Sequence, residues 1–359
     1  IHIDDAKTCF SNHTKKYDII ISEPSNPWVS GTANLFTNEF YQHVNNYLEQ
    51  DGLLVQWIQL YEIDFNLVTS VLKALSANYT DYQIFACNTS DILIIARKEG
   101  RLTSLDPNIF NQARLAEELA RLNFHNIQDL EIRRIASKKI LDPLLPTYVA
   151  PANSDYYPYL DLNAAHARFL NADALELIEL ANFPLPVLEM LDKKTSVNTE
   201  TNISANPYFP KTKKTVTAFN FLNLLTQDNF SANTSLSRQF IMYTQMAAPV
   251  IRECDADTHF GFWLETLYNN VALTVMPYLT RNELDRIWRN FESDDCWGSL
   301  SNIQKLWITL FRAVSNKNAA EMASAASSLL TTDHTAINYN LSAGQQKYLL
   351  AAGILGYLA

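Results

Sequence analysis

The sequence predicts an α/β domain followed by an all-α domain. Short apolar runs alternate with helical patterns over residues 1–100, and strands separated by helices predict parallel βαβ units. A polar passage rich in Asn, Thr and Lys follows at residues 192–215 and is typical of a linker. From about residue 216 onward, the spacing of apolar residues is helical throughout.

The first domain, which we place at residues 1–170, contains five apolar runs that predict strands. These runs lie at residues 1–3, 18–21, 53–58, 83–85 and 91–95. The last two are close in sequence and predict an antiparallel pair at the edge of the sheet. A linker at 171–215 and a helical domain at 216–359 complete the predicted organisation.

Two helical patterns lie between these strands. The first has an apolar side chain at every fourth residue from Phe36 to Leu48, and Thr37 is placed to cap it. Gly52 is typical of the position just after a helix. The second pattern covers residues 67–75.

The composition excludes several classes of protein. The chain has 359 residues but only 8 glycines, and neither GxGxxG nor GxxxxGK[ST] occurs, so an enzyme that relies on either phosphate-binding loop is excluded for these residues. With 28 basic and 38 acidic side chains and a net charge of −10, the chain lacks the basic footprint of nucleic-acid binding. The four cysteines lie far apart without metal-ligand spacing, and we expect them to be reduced.

One loop stands out as a candidate for chemistry. The segment SEPSNPW follows the strand at residues 18–21, and ligands of parallel α/β sheets bind beyond the carboxyl ends of strands. Two prolines force extended backbone on Glu23 and Asn26, which precede them. A carboxylate held on such a stiff loop suits a general base or a cation ligand. A proline-rich turn with a solvated glutamate is the alternative.

Three segments of the first domain carry a family resemblance, namely HIDDAKTCF, YDIIISEPSNPWVSGTANLFTNEFYQHVNNYLEQDGLLVQWIQLYEID and PANSDYYPYLDL. They resemble the polyamine aminopropyltransferase (spermidine synthase) family, and are most similar to a divergent branch with EPSNPW in place of the usual DSSDP. The resemblance covers about residues 1–165. It implies part of a Rossmann-like sheet of the S-adenosylmethionine methyltransferase type.

The resemblance also implies an activity and a set of site residues. Decarboxylated S-adenosylmethionine would be a co-substrate, with no bound prosthetic group, and its aminopropyl group would move to a putrescine-like polyamine. Glu23 matches the family's catalytic aspartate, and Asp5 matches the aspartate beside the adenine. Gln56 follows the next strand, near where the family places a glutamine beside the nucleoside.

The acceptor side of the site is implied by Asn26, Trp28 and Tyr61, whose rings could contact a sulfonium or ammonium through cation–π interactions. Trp57 could do the same, but an ordinary core position is the better interpretation for it. The sequence departs from the family in two places. Glu23 is one methylene longer than aspartate, and Asn26 replaces the diamine-facing aspartate, which weakens the case for putrescine.

The family's sheet has the strand order 3-2-1-4-5-7-6, and the first two strands here match its strands 3 and 4. Strands 1 and 2, with the glycine-rich loop and the ribose-binding acid, have no counterpart in these residues. We therefore expect a fragment that alone binds the nucleoside poorly or not at all. We expect it to be cytoplasmic; relatives in this branch often carry membrane spans upstream, which leaves membrane attachment of the complete protein open.

Two other functions remain open at this stage. The same fold would serve another transferase that uses S-adenosylmethionine itself. Alternatively, the first domain is catalytically degenerate and the helical domain at 216–359 binds a protein partner. Helix pairs near 35 residues resemble TPR-type repeats, although no consensus recurs at a fixed period. A homo-oligomer also remains open.

Overall fold

The structure is a computed structural model that describes residues 5–180, 183–192, 210–226, 238–332 and 339–359. The chain divides into two compact units, Ile1–Ala181 and Asn182–Ala359. The strand predicted at residues 1–3 lies outside the described residues.

Among the described residues of the first unit, five strands form one mixed sheet: β1 Tyr17–Ser22, β2 Leu48–Gln59, β3 Asp81–Ala86, β4 Asp91–Arg97 and β5 Arg134–Ser137. Their spatial order is β1-β2-β4-β3-β5. Only β1 and β2 pair in parallel; the β2–β4, β3–β4 and β3–β5 pairs are antiparallel. The first four strands thus follow the order 4-5-7-6 that the family resemblance implies. The antiparallel hairpin is as predicted, but β4 lies inside the sheet and β5 covers β3.

Eight helices accompany this sheet among the described residues: α1 Ala6–Ser11, α2 Asn38–Asn45, α3 Phe65–Ser76, α4 Ala113–Arg121, α5 Ile127–Glu131, α6 Lys138–Leu141, α7 Tyr159–Phe169 and α8 Glu176–Glu179. The predicted helix at 67–75 is α3, and the Asp64 side chain caps it by accepting from the amide of Leu67 at 3.0 Å. The apolar side of α3 is buried, and its member Leu72 is 1% exposed.

The helix predicted from Phe36 to Leu48 is shorter than expected. Thr37 caps α2 as predicted, accepting from the amide of Phe40 at 3.2 Å, but α2 ends at Asn45. Leu48 instead begins β2, where it is fully buried. Tyr17 pairs with Leu48 and Ile19 with Leu53, so β2 bulges here. A Cβ on Gly52 would lie 2.9 Å from a backbone oxygen, so the glycine serves this bulge and not a helix end.

The second unit is helical throughout its described residues, as predicted, with α9 Val187–Leu191, α10 Pro210–Thr226, α11 Arg238–Ile251, α12 Phe260–Thr266, a π-helical turn Leu267–Ala272, α13 Arg281–Phe291, α14 Asp294–Ser299, α15 Asn302–Asn316, α16 Ala319–Thr331 and α17 Ala343–Leu358. Trp263, Trp288 and Trp307 are buried in its core. Among the described residues, none of the helices is both long enough and apolar enough to cross a membrane. The TPR-like repeat stays a prediction.

Two expectations are corrected by the structure. Cys254 and Cys296 form a disulfide across 42 residues, with their Cα atoms 5.7 Å apart, so these two cysteines are not reduced. Sequence spacing could not show that the loop after α11 meets α14. The linker predicted at 171–215 begins as packed chain, because Ala174 and Leu177 are fully buried. Residues 193–209 of that predicted linker lie outside the described part.

Candidate functional site

The candidate site lies at the carboxyl ends of β1 and β2. Ser22 ends β1 opposite Gln56, and Glu23 follows with an exposed side chain. The loop then closes as a turn, in which the amide of Val29 donates to the carbonyl of Asn26 at 2.9 Å. Pro27 is buried beneath this turn. Pro27 therefore fixes the loop to the interior, while the side chain of Glu23 faces solvent.

Asn153 fixes the chain that follows this loop. Its side-chain amide donates to the carbonyls of Ala33 at 3.3 Å and Phe36 at 3.1 Å, and its side-chain oxygen accepts from the amide of Leu160 at 3.0 Å. Asn153 is fully buried. Asn153 begins the sequence Asn-Ser-Asp at residues 153–155, which we call the NSD segment. It joins the turn before α2 to the start of α7, which explains why a buried polar residue is placed here.

Gln56 lies on the buried side of β2 and is fully inaccessible. Its Nε2 donates to the carbonyl of Ser22 at 3.3 Å and to that of Trp57 at 2.9 Å. The Oε1 atom has no hydrogen-bond partner among the described residues. The glutamine therefore holds the end of β1, from which Glu23 departs, while Trp57 on the opposite face is half-buried.

Asp5 caps a helix. Its Oδ1 accepts from the amide of Thr8 at 2.9 Å, at the N-terminus of α1. This hydrogen bond from the Thr8 backbone holds the pKa of the Asp5 carboxyl below its ordinary value. Nearby, Lys7 pairs with Asp155 at 3.1 Å, which joins α1 to the NSD segment. The nucleoside-binding role of Asp5 stays a prediction.

Asn26, Trp28 and Tyr61 do come together. The side-chain amide of Asn26 donates to the hydroxyl of Tyr61 at 3.3 Å, and the rings of Trp28 and Tyr61 meet edge to face with centroids 6.5 Å apart. The guanidinium of Arg168 lies 5.1 Å from the centre of the Trp28 ring. Arg168 also pairs with Glu62, with 3.4 Å between Nε and a carboxylate oxygen. We call these five residues the aromatic cluster.

A half-buried thiol marks the far side of the same sheet edge. Burial, followed by the charge of Asp91, raises the pKa of the Cys87 thiol to about 11, with Arg133 opposing and Glu23 adding to the rise. The thiol is therefore neutral near pH 7 and is a poor nucleophile. No group of three or more His, Cys, Asp or Glu among the described residues could hold a metal ion.

Three residues of this region were not singled out by the sequence analysis. Glu62 directly follows Tyr61, and its charge beside an aromatic residue was a usable signal. Arg168 lies on α7, and nothing in its local sequence points to Trp28. Gln59 is fully buried at the end of β2, and its side-chain amide has no hydrogen-bond partner among the described residues. Such a residue is recognised only once the sheet is known.

These features define a class of protein. A carboxylate at a strand end of an α/β sheet and, a few residues further along the same loop, an aromatic ring that already holds a cation suit a small cationic ligand. Comparison with known proteins narrows the class. Residues 1–93 match the spermine/spermidine synthase domain, so this part of the chain is similar to the spermidine synthase-like family.

Curated relatives agree with this family. The polyamine aminopropyltransferases of the Tuc7, 5A and APS strains of Buchnera aphidicola subsp. Acyrthosiphon pisum are each 30% identical to this chain over 86 residues. The match covers 24% of this chain and 30% of each relative. It therefore spans less than a third of the relatives' length.

Proposed function

We propose that the complete protein transfers the aminopropyl group of decarboxylated S-adenosylmethionine to a polyamine acceptor. The observation that carries this proposal is the position of Glu23, on the loop that leaves β1 within the matched residues 1–93. The contacts among Asn26, Trp28 and Tyr61, of which the first two lie on the same loop as Glu23, support it.

The chemistry requires a group that accepts a proton. The acceptor amine is protonated near pH 7, because its pKa is close to that of lysine, about 10.4, and an ammonium nitrogen has no lone pair for attack. Glu23 would accept a proton from the ammonium and orient the neutral amine that results. When the neutral nitrogen attacks, an N–C bond forms, the C–S bond breaks, and its electron pair stays on sulfur as a neutral thioether. The positive charge of the sulfonium passes to the nitrogen, which leaves as a secondary ammonium.

The donor side of the site is proposed on weaker grounds. Asp5 and Gln56 occupy the positions that the resemblance gives to nucleoside contacts. Both carry hydrogen bonds within the chain, the aspartate to α1 and the glutamine to the end of β1.

The proposal is tested in the complete protein by replacing Glu23 with glutamine. We expect kcat/KM for formation of the aminopropylated amine to fall about 10²- to 10⁴-fold, which is the usual contribution of a general acid–base group. Asp18→Asn is the matched control, because Asp18 is an exposed carboxylate on the same strand, β1. The products are separated by chromatography after incubation with putrescine and each donor in turn.

Two outcomes would contradict the proposal. Turnover of the Glu23→Gln protein within about threefold of wild type would remove Glu23 from the mechanism. Methyl transfer from S-adenosylmethionine, without aminopropyl transfer from the decarboxylated donor, would identify the other class of transferase.

A further inference from the structure

The aromatic cluster is built like a receptor for a cation. Trp28 offers the face of an indole ring, Tyr61 stands beside it, and the carboxylate of Glu62 lies next along the chain. An aromatic face together with a carboxylate is the combination that recognises an ammonium group. In the structure, the guanidinium of Arg168 fills this position, 5.1 Å from the Trp28 ring centre and 3.4 Å from the Glu62 carboxylate.

The backbone at Glu62 supports a dedicated role for this side chain. Its φ angle is 53°, in the left-handed region that residues other than glycine adopt at a cost. Such strain is found where the surrounding structure fixes a residue for function. Here the fixing is visible, because the amide of Ile63 donates to the carbonyl of Ala172 at 3.1 Å and the amide of Ala174 donates to the carbonyl of Leu60 at 2.8 Å.

Arg168 itself is held loosely. Its side chain is 56% exposed, whereas that of Glu62 is 34% exposed. An exposed ion pair of this kind contributes little to stability. The arginine side chain can therefore leave the cluster at small cost, while Glu62 stays on the segment that the backbone bonds to Ala172 and Ala174 hold. The more exposed cation thus lies against a less exposed carboxylate and an aromatic ring.

We infer that Trp28, Tyr61 and Glu62 form a binding site for an alkylammonium group, and that Arg168 occupies this site until a ligand displaces it. The ligand is one end of a linear diamine or polyamine. Its choice as the acceptor of the transfer reaction rests on the proposed function. The site makes Glu62 and Arg168 determinants of amine specificity, since the carboxylate attracts the ammonium and the guanidinium competes with it.

The test measures amine binding directly by isothermal titration of the full 359-residue chain, with 1,4-diaminobutane and propylamine as probes. Arg168→Met removes the competing charge while keeping an apolar stem, and we expect it to bind 1,4-diaminobutane about 2- to 30-fold more tightly than wild type. Arg168→Lys retains a competing cation and should stay near wild type. Glu62→Gln should bind more weakly than wild type. Arg114→Met is the matched control, because Arg114 is an exposed arginine on α4.

A second measurement needs no variant. In the wild-type chain labelled with ¹⁵N-arginine, the Nε–Hε resonance of Arg168 should shift as 1,4-diaminobutane is added, since the guanidinium leaves the indole ring. A resonance that does not move, or Arg168→Met and Arg114→Met proteins of equal affinity, would overturn the inference. Absence of amine binding to every protein would also overturn it.

Failure of the proposed reaction and failure of the proposed ammonium site would give different results. If the complete protein transfers no aminopropyl group but amine binding still depends on Arg168 and Glu62 as stated, the ammonium site stands and the reaction is wrong. If transfer occurs while the KM for the amine is the same in Arg168→Met and wild type, the reaction stands and the site is wrong.

Discussion

Replacing Asn153 with alanine should loosen the contact between the turn before α2 and the start of α7. The substitution removes three side-chain hydrogen bonds, two donated to the carbonyls of Ala33 and Phe36 and one accepted from the amide of Leu160. Each bond contributes about 1 kcal/mol net, so the expected loss is about 3 kcal/mol. The backbone bonds of residue 153, from Asn38 and to Ser70, do not depend on the side chain and should persist.

The loss should appear first at the start of α7. Pro158 precedes this helix and provides no capping side chain, so the amide of Leu160 depends on the oxygen of Asn153, seven residues upstream. The Leu160 amide exchanges when this region opens, so its hydrogen exchange reports on all three bonds together. A loss of about 3 kcal/mol corresponds to roughly 100-fold less protection. The chain has two units, so this local probe is clearer than a single denaturation curve.

The control is Asn163→Ala on the same helix. Asn163 is half-buried and donates one hydrogen bond, to the carbonyl of Tyr159 at 2.8 Å. Alanine also has the higher helix propensity, so this variant should cost under about 1 kcal/mol. If exchange at Leu160 were equally fast in the Asn153→Ala and Asn163→Ala proteins, the idea that Asn153 holds the site together would be refuted.

Two further predictions concern the cysteines. Titration of thiols in the unfolded, non-reduced chain should find two free thiols, those of Cys9 and Cys87, and four reactive thiols would contradict the disulfide. Replacing Cys254 with serine should lower the free energy of unfolding of the second unit by about 4 kcal/mol, as expected for a closed loop of 42 residues. Alkylation of Cys87 should be slow at pH 8 and rise about tenfold per pH unit toward pH 11, because burial raises the pKa of this thiol to about 11. In the unfolded chain the pKa of this thiol is about 9.0, so as the pH rises the unfolded state loses the proton before the folded state does. The neutral thiol therefore contributes to stability below pH 9, and this contribution is lost between pH 9 and 11. An alkylation rate that stayed constant from pH 8 to 11 would contradict the assigned burial.

Local patterns predicted those parts of the fold that depend on local physics. The period of apolar residues located α3 and the central strands, and Thr37 was recognised as a cap because capping involves residues three apart. The two prolines that follow Glu23 and Asn26 predicted a stiff strand-end loop. The helix predicted to reach Leu48 was wrong because an apolar residue at helical spacing can equally be the first buried residue of a strand.

Contacts between distant segments could not be predicted in this way. Asn153 has no local signal that it reaches Phe36, and Arg168 has none that it reaches Trp28. The disulfide of Cys254 and Cys296 is of the same kind, since sequence spacing does not determine which cysteines meet. Pairings of this type depend on how whole helices and strands pack, and local patterns in a single sequence do not predict them.

The aromatic cluster also bears on how far the family match can determine a substrate. Trp28, Tyr61 and Glu62 lie within the matched residues 1–93, whereas Arg168 lies on α7, well beyond them. The same is true of Ala172 and Ala174, whose backbone groups hold the strained segment at Glu62. The proposed reaction type therefore rests on the matched residues. On our inference, the choice of amine depends on side chains and backbone groups that lie outside them. Two proteins that share the matched domain would differ in acceptor if their counterparts of α7 differed in charge at this one position.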